Sequence, residues 1–74
     1  MNKYAIGIYD DTEGKNEVII VEEETSVKAI YKAVGNDELW HIKDGKPPYS
    51  TDLEAYDFYL QGGLIISEPV LIKQ

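Results

Sequence analysis

The chain contains no cysteine, no arginine and only one histidine. Without thiols there is neither a disulfide framework nor a thiolate metal site, and the composition fits a reducing cytosol. All seven cations are lysine. Arginine is the usual side chain for bidentate recognition of phosphates and base edges, so its absence argues against direct nucleic-acid binding. Long apolar runs are missing as well. The longest, residues 18–21 and 64–66, fall far short of the roughly 20 residues needed to cross a bilayer. The N-terminal MNKYAIGIYDD has neither the long apolar segment nor the small-residue cleavage site of a signal peptide. The expectation is a soluble, cytoplasmic protein with no membrane contact.

Catalytic and metal signatures are equally scarce. His41 has no cysteine or serine partner at a recognisable motif spacing. Asp10-Asp11-Thr12-Glu13-Gly14 has the look of a calcium loop, which requires glycine at its sixth position and glutamate at its twelfth. Counted from Asp10 those positions are Lys15 and Val21, so the match fails. Gly62-Gly63 lacks the lysine and spacing of a phosphate loop and reads as a helix cap. No catalytic residue, metal site or cofactor is expected, and the chain reads as a non-enzyme.

What the sequence has in excess is acid: 14 acidic residues against seven lysines, a net charge of −7 on 74 residues. Residues 10–24, DDTEGKNEVIIVEEE, hold seven of those acids and one lysine. A negative surface repels nucleic acid and anionic membrane and attracts basic protein surfaces. Hydrophobic content of 43% and charged content of 28% are ordinary for a globular chain and argue against disorder. At this length there is room for one domain.

Periodicity sketches that domain. Tyr4, Ile6 and Ile8 alternate with Ala5, Gly7 and Tyr9, a strand pattern. Residues 10–16 are rich in turn formers, and residues 17–24 form a second strand centred on Val18-Ile19-Ile20-Val21. The two make an antiparallel hairpin with a loop of six or seven residues. Thr25 or Ser26 caps a helix over residues 27–34, with Val27, Ile30, Tyr31 and Val34 on one face and Lys28 and Lys32 on a locally basic opposite face. Gly35-Asn36 stops it. Residues 38–42 read equally as a helical turn or a short strand, and residues 43–48 as a loop. Thr51-Asp52-Leu53-Glu54 fits a capping box. It opens a helix to about residue 60, with Leu53, Tyr56, Tyr59 and Leu60 as its apolar stripe. Residues 64–66 and 70–72 are strand-like on either side of Pro69, which predicts an edge strand, a bulged strand or two short ones. The expected fold is α+β: a small antiparallel sheet, made of the N-terminal hairpin and the C-terminal edge strand, covered on one face by two helices in the order ββααβ.

Three acidic groups are candidates for partner binding. Asp10, Asp11 and Glu13 belong to the hairpin loop, Glu22, Glu23 and Glu24 precede the first helix, and Asp52, Glu54 and Asp57 lie on the second. The first two have an ordinary explanation: loop solvation for the hairpin acids, and protection of a strand edge or favourable charge at a helix N-terminus for the three glutamates. An eight-residue strand spans roughly 26 Å, so the first two groups belong at opposite ends of the hairpin. Phe58 sits off the predicted stripe beside Glu54, as an interface anchor would, or packs against the Pro47-Pro48 loop or the Trp40 segment. Among six tyrosines, Tyr4, Tyr31, Tyr56 and Tyr59 occupy core positions, and Tyr9 and Tyr49 are the surface candidates.

These observations lead to an expected role as an acidic protein-interaction module whose partner is a protein with a basic surface. In its most specific form it is an inhibitor or decoy occupying the nucleic-acid-binding surface of another protein, with the acidic decoys encoded by phages as an analogy of composition alone. The alternative is a non-catalytic structural or accessory subunit that homodimerises through its C-terminal edge strand, residues 64–72. Either reading allows a monomer or a homodimer.

Overall fold

Alternation in the first strand decides the architecture. The computed structural model describes residues 1–36 and 47–72 and contains β1(Asn2–Asp10), β2(Lys15–Glu23), α1(Ser26–Ala33), α2(Asp52–Leu60), β3(Leu64–Ile66) and β4(Val70–Ile72). Tyr4, Ile6 and Ile8 are buried on one face of β1, while their alternating neighbours point the other way. β1 is central. β2 pairs antiparallel along one side of it, and β3 and β4 lie end to end along the other, also antiparallel.

Both helices cover the inward face, where Val27, Ala29, Ile30 and Tyr31 of α1 and Ala55 and Tyr59 of α2 join Tyr4, Ile6, Ile8, Val21 and Ile66 in one core. This is the α+β arrangement that the periodicity implies. The molecule is 18 Å in its shortest dimension, which fits one sheet and one helical layer and, among the described residues, leaves the outward sheet face uncovered.

Local chemistry sets the boundaries. Thr25 is the N-cap of α1, its hydroxyl accepting from Lys28 N at 3.3 Å. The helix closes with Asn36 N donating to Tyr31 O at 2.9 Å and Gly35 N to Lys32 O at 3.1 Å, the Schellman pattern. At α2, Thr51 Oγ1 accepts from Glu54 N, and the Glu54 carboxylate reaches back to Ser50 N, Ser50 Oγ and Thr51 Oγ1. The capping box therefore forms, with Ser50 rather than Thr51 supplying the backbone N–H. These donors hold the Glu54 carboxyl below its ordinary range, the Ser50 backbone N–H contributing most.

Several expectations need correction. The hairpin loop has four residues, 11–14, not six or seven, because Asp10 and Lys15 still pair across the strands. On α2, Leu53 is 78% exposed and Leu60 is also exposed, so neither belongs to a buried stripe. Ala55 and Tyr59 take the core-facing positions, with Tyr56 half-buried. A short helix with apolar residues all round gives periodicity no single face to choose.

Tyr49 is the largest departure. Assigned to the surface by its place in a loop, it is 2% exposed. Its ring stacks on Tyr31 with centroids 4.0 Å apart. Tyr31 Oη donates to Tyr49 O at 2.6 Å and accepts from Tyr49 N at 3.2 Å. Tyr49 Oη meets Tyr59 Oη at 2.8 Å, and Asn36 Nδ2 donates to Tyr59 Oη at 3.0 Å. Every buried hydroxyl is thus partnered, which is what permits so polar an aromatic cluster in a core. Burial drives the Tyr49 phenol far above its ordinary range. The assignments at residues 37–46, including Trp40 and His41, lie outside the described residues.

The C-terminal element resolves into two short strands. Between them Ser67 N donates to Gly7 O at 2.8 Å, while Gly7 N donates to Ser67 Oγ, also at 2.8 Å. A serine hydroxyl thus stands where the ladder would have a carbonyl. A Cβ at position 7 would lie 3.0 Å from that oxygen, so the glycine provides the close approach.

Candidate partner-binding surface

Nine residues of β2 separate two acidic groups, about 26 Å apart at strand spacing. The α1 end of the hairpin carries Glu22, Glu23 and Glu24, and each has a lysine beside it. Lys3 Nζ lies 4.0 Å from Glu22, Lys32 Nζ 4.0 Å from Glu23 and Lys28 Nζ 3.8 Å from Glu24. Lys32 also donates to the Glu22 carbonyl at 3.3 Å. The lysine face of α1, read from the sequence as a locally basic surface, is therefore spent on these glutamates. Asp52 joins this end: Ser26 Oγ sits 2.9 and 2.7 Å from its two carboxylate oxygens, bringing the N-termini of α1 and α2 together. Four acids here face three lysines.

The hairpin end is different. Asp10 Oδ1 accepts from Thr12 N at 3.0 Å, Thr12 Oγ1 at 2.6 Å and Glu13 N at 3.3 Å. The Thr12 hydroxyl is the main cause of a carboxyl held below its ordinary range. Glu13 lies 3.7 Å from Lys15. Asp11 and Glu17 have no ion pair among the described residues. The register sets Ile8 opposite Glu17 and Asp10 opposite Lys15, which places all four side chains on the helix-covered face.

There they line a hollow of about 320 Å³, with Glu13, Ala33, Val34 and Leu64 completing the wall. Among the described residues four acids at this end share one lysine, and three of them, Asp10, Glu13 and Glu17, border an apolar-backed depression. Two ties hold the rim. Asp11 N donates to Gly63 O at 2.8 Å, and Thr12 Cγ2 packs where a Cβ on Gly63 would come within 3.0 Å.

The structure thus divides the candidate residues. Asp10, Asp11 and Glu13 share the hairpin end; Glu22, Glu23, Glu24 and Asp52 share the α1 end. Glu54 is engaged in its cap, and Asp57 is exposed on α2 with no ion pair among the described residues. Phe58 is 41% exposed. Its ring centroid stands 5.4 Å from that of Tyr49 and 5.0 Å from that of Tyr59, so one edge packs while the rest meets solvent. Glu17 was not among the sequence candidates. Its signal was parity: Val21, Ile19 and Glu17 lie on one face of β2, but only the register shows that this face meets the hollow.

Among the described residues no group of three or more histidine, cysteine or carboxylate side chains is placed to hold a metal ion, and no helix is long and apolar enough to cross a membrane. No protein-family model, curated protein or solved structure matches this chain.

Proposed function

We propose that the chain is a non-catalytic protein-interaction module that receives a lysine or arginine of a basic partner surface in the hollow at its hairpin end. The observation that carries this reading is the uneven neutralisation of charge. Acids at the α1 end are matched by lysines drawn from β1 and α1, whereas Asp10, Glu13 and Glu17 border one depression with, among the described residues, only Lys15 beside them. Thr12 and Glu13 donate to the Asp10 carboxylate and hold it below its ordinary range, the Thr12 hydroxyl contributing most. The apolar wall of Ala33, Val34 and Leu64 suits the methylene stem of a long cationic side chain. In its most specific form the module is an inhibitor that occupies the nucleic-acid-binding surface of another protein. A homodimer joined along residues 64–72 finds less support, because that edge is two three-residue strands separated at Ser67, Glu68 and Pro69.

Charge-matched variants test the reading. A fluorescent octa-arginine peptide is titrated with the protein in about 50 mM and 200 mM NaCl, followed by anisotropy. Glu13→Gln with Glu17→Gln removes two charges at the hollow, and Glu22→Gln with Glu23→Gln removes two at the α1 end. The first pair is expected to weaken binding about tenfold and the second less than about twofold, both binding events weakening with salt. Equal losses from the two pairs would reduce the hollow to one part of a diffuse negative field and sink the proposal.

A further inference from the structure

The outward face of the sheet presents a shape as well as an apolar surface. Strand register places Ile20, Ala5 and Val70 in one row across it, and Val18, Gly7 and Ser67 in the next. Small residues on the central strand thus form a trough, walled by Val18 and Ile20 on β2 and by Val70 and Ile65 on the opposite edge. Val18 is 70% exposed, Ile20 60% and Val70 61%. Nothing among the described residues covers them.

Both edges of the sheet, by contrast, are guarded. On β2 the Lys32 ammonium occupies the Glu22 carbonyl, and β2 ends in two glutamates. On the other side Pro69 and the Ser67 hydroxyl interrupt the ladder. Lysine, proline and irregular pairing are the usual protections against strand addition.

From this we infer that the outward face is a homodimer interface, its occupant a second copy of this chain. Charge selects that occupant. Among the described residues, the face's ionised side chains are Lys3 and Glu22, which pair with each other at 4.0 Å. It is therefore neutral on a chain of net charge −7, and the acids of the hairpin end and of α2 lie on the helix side or the rim. A basic partner gains nothing there, while two copies can meet there without setting like charges face to face. Shape agrees: under a two-fold axis the Val18–Ile20 ridge of each copy enters the Ala5–Gly7 trough of the other, as in stacked sheets about 10 Å apart. Area sets the strength. Three strands abreast at about 4.8 Å, nine residues long at about 3.3 Å each, present roughly 400 Å² per copy. Twice that is below the roughly 1,200 Å² of stable complexes, which makes this a weak, transient dimer.

Sedimentation equilibrium on the full chain from about 20 μM to 2 mM tests the inference. The weight-average mass should rise from 8.4 kDa toward twice that value. The dimer should strengthen as salt rises, because screening relieves repulsion between acidic copies. Val18→Lys with Ile20→Lys, both at exposed positions, should raise the dissociation constant more than tenfold, with circular dichroism reporting an unchanged fold. Amide shifts between dilute and concentrated samples should gather on Ala5, Gly7, Val18, Ile20 and Val70. A wild-type chain that stays monomeric at 2 mM, a double variant that associates equally well, or shifts gathered on the helices or the strand edges would overturn it.

Discussion

At one end of the β1–β2 hairpin acids are matched; at the other they are left over. The three consecutive glutamates at the α1 end form the densest acidic run in the chain, yet each has a lysine within 4.0 Å. The hairpin end has fewer consecutive acids and a larger local imbalance, with Asp10, Asp11, Glu13 and Glu17 around Lys15. Charge density along a sequence is therefore a poor guide to charge in space. What decides the field is whether cations from other elements arrive, and Lys3, Lys28 and Lys32 all arrive at the same end.

The ends also differ in what their acids do for the fold, and substitutions can separate the two roles. The largest effect is expected at Gly63, whose φ is +87° and whose missing Cβ leaves room for Thr12. Gly63→Val should cost about 1–3 kcal/mol in denaturant melts from backbone strain alone, with the clash in addition, and should loosen the hairpin loop from the turn between α2 and β3.

A smaller loss is expected for Asp10→Ala, which leaves Thr12 N, Thr12 Oγ1 and Glu13 N without their acceptor. Its pH dependence has a definite sign. The folded-state pKa of Asp10 is depressed, so its contribution is complete above the unfolded value of about 3.9 and disappears as pH falls through the folded value. Melting temperatures of wild type and Asp10→Ala should therefore converge in acid; a gap undiminished at pH 2 would mean that the loop does not depend on the ionised carboxylate. The smallest effect belongs to the α1 end. Exposed ion pairs contribute little, so Glu22→Gln with Glu23→Gln should shift stability by less than about 1 kcal/mol. A larger loss would show that those pairs hold α1 onto β2 and are more than neutralised surface charge.

Much of the fold was legible because it is written in local chemistry. Period-two alternation located β1 and β2, Thr25 and Thr51 marked both helix starts, and Pro69 announced a broken C-terminal edge. The candidate site was legible only in outline. That the acids divide between two hairpin ends follows from strand length, but their unequal neutralisation does not: Lys28 meets Glu24 as a local i,i+4 pair, whereas Lys3 and Lys32 reach Glu22 and Glu23 only through tertiary packing. Glu17 gained its place from register. Tyr49 was hidden for a related reason: a lone tyrosine in a loop has no periodicity, and its burial depends on Tyr31 offering one hydroxyl to both its N–H and its C=O.

The Ser67 hydroxyl, between the two short edge strands, has a consequence for motion. A ladder bond between two backbones opens only when a strand moves, a collective event. The bond from Gly7 N to Ser67 Oγ opens by rotation about a single χ1, a movement that exposed side chains make in picoseconds to nanoseconds. β1, the best-buried strand of the molecule, therefore contains one link that can release and re-form while the sheet around it stays still.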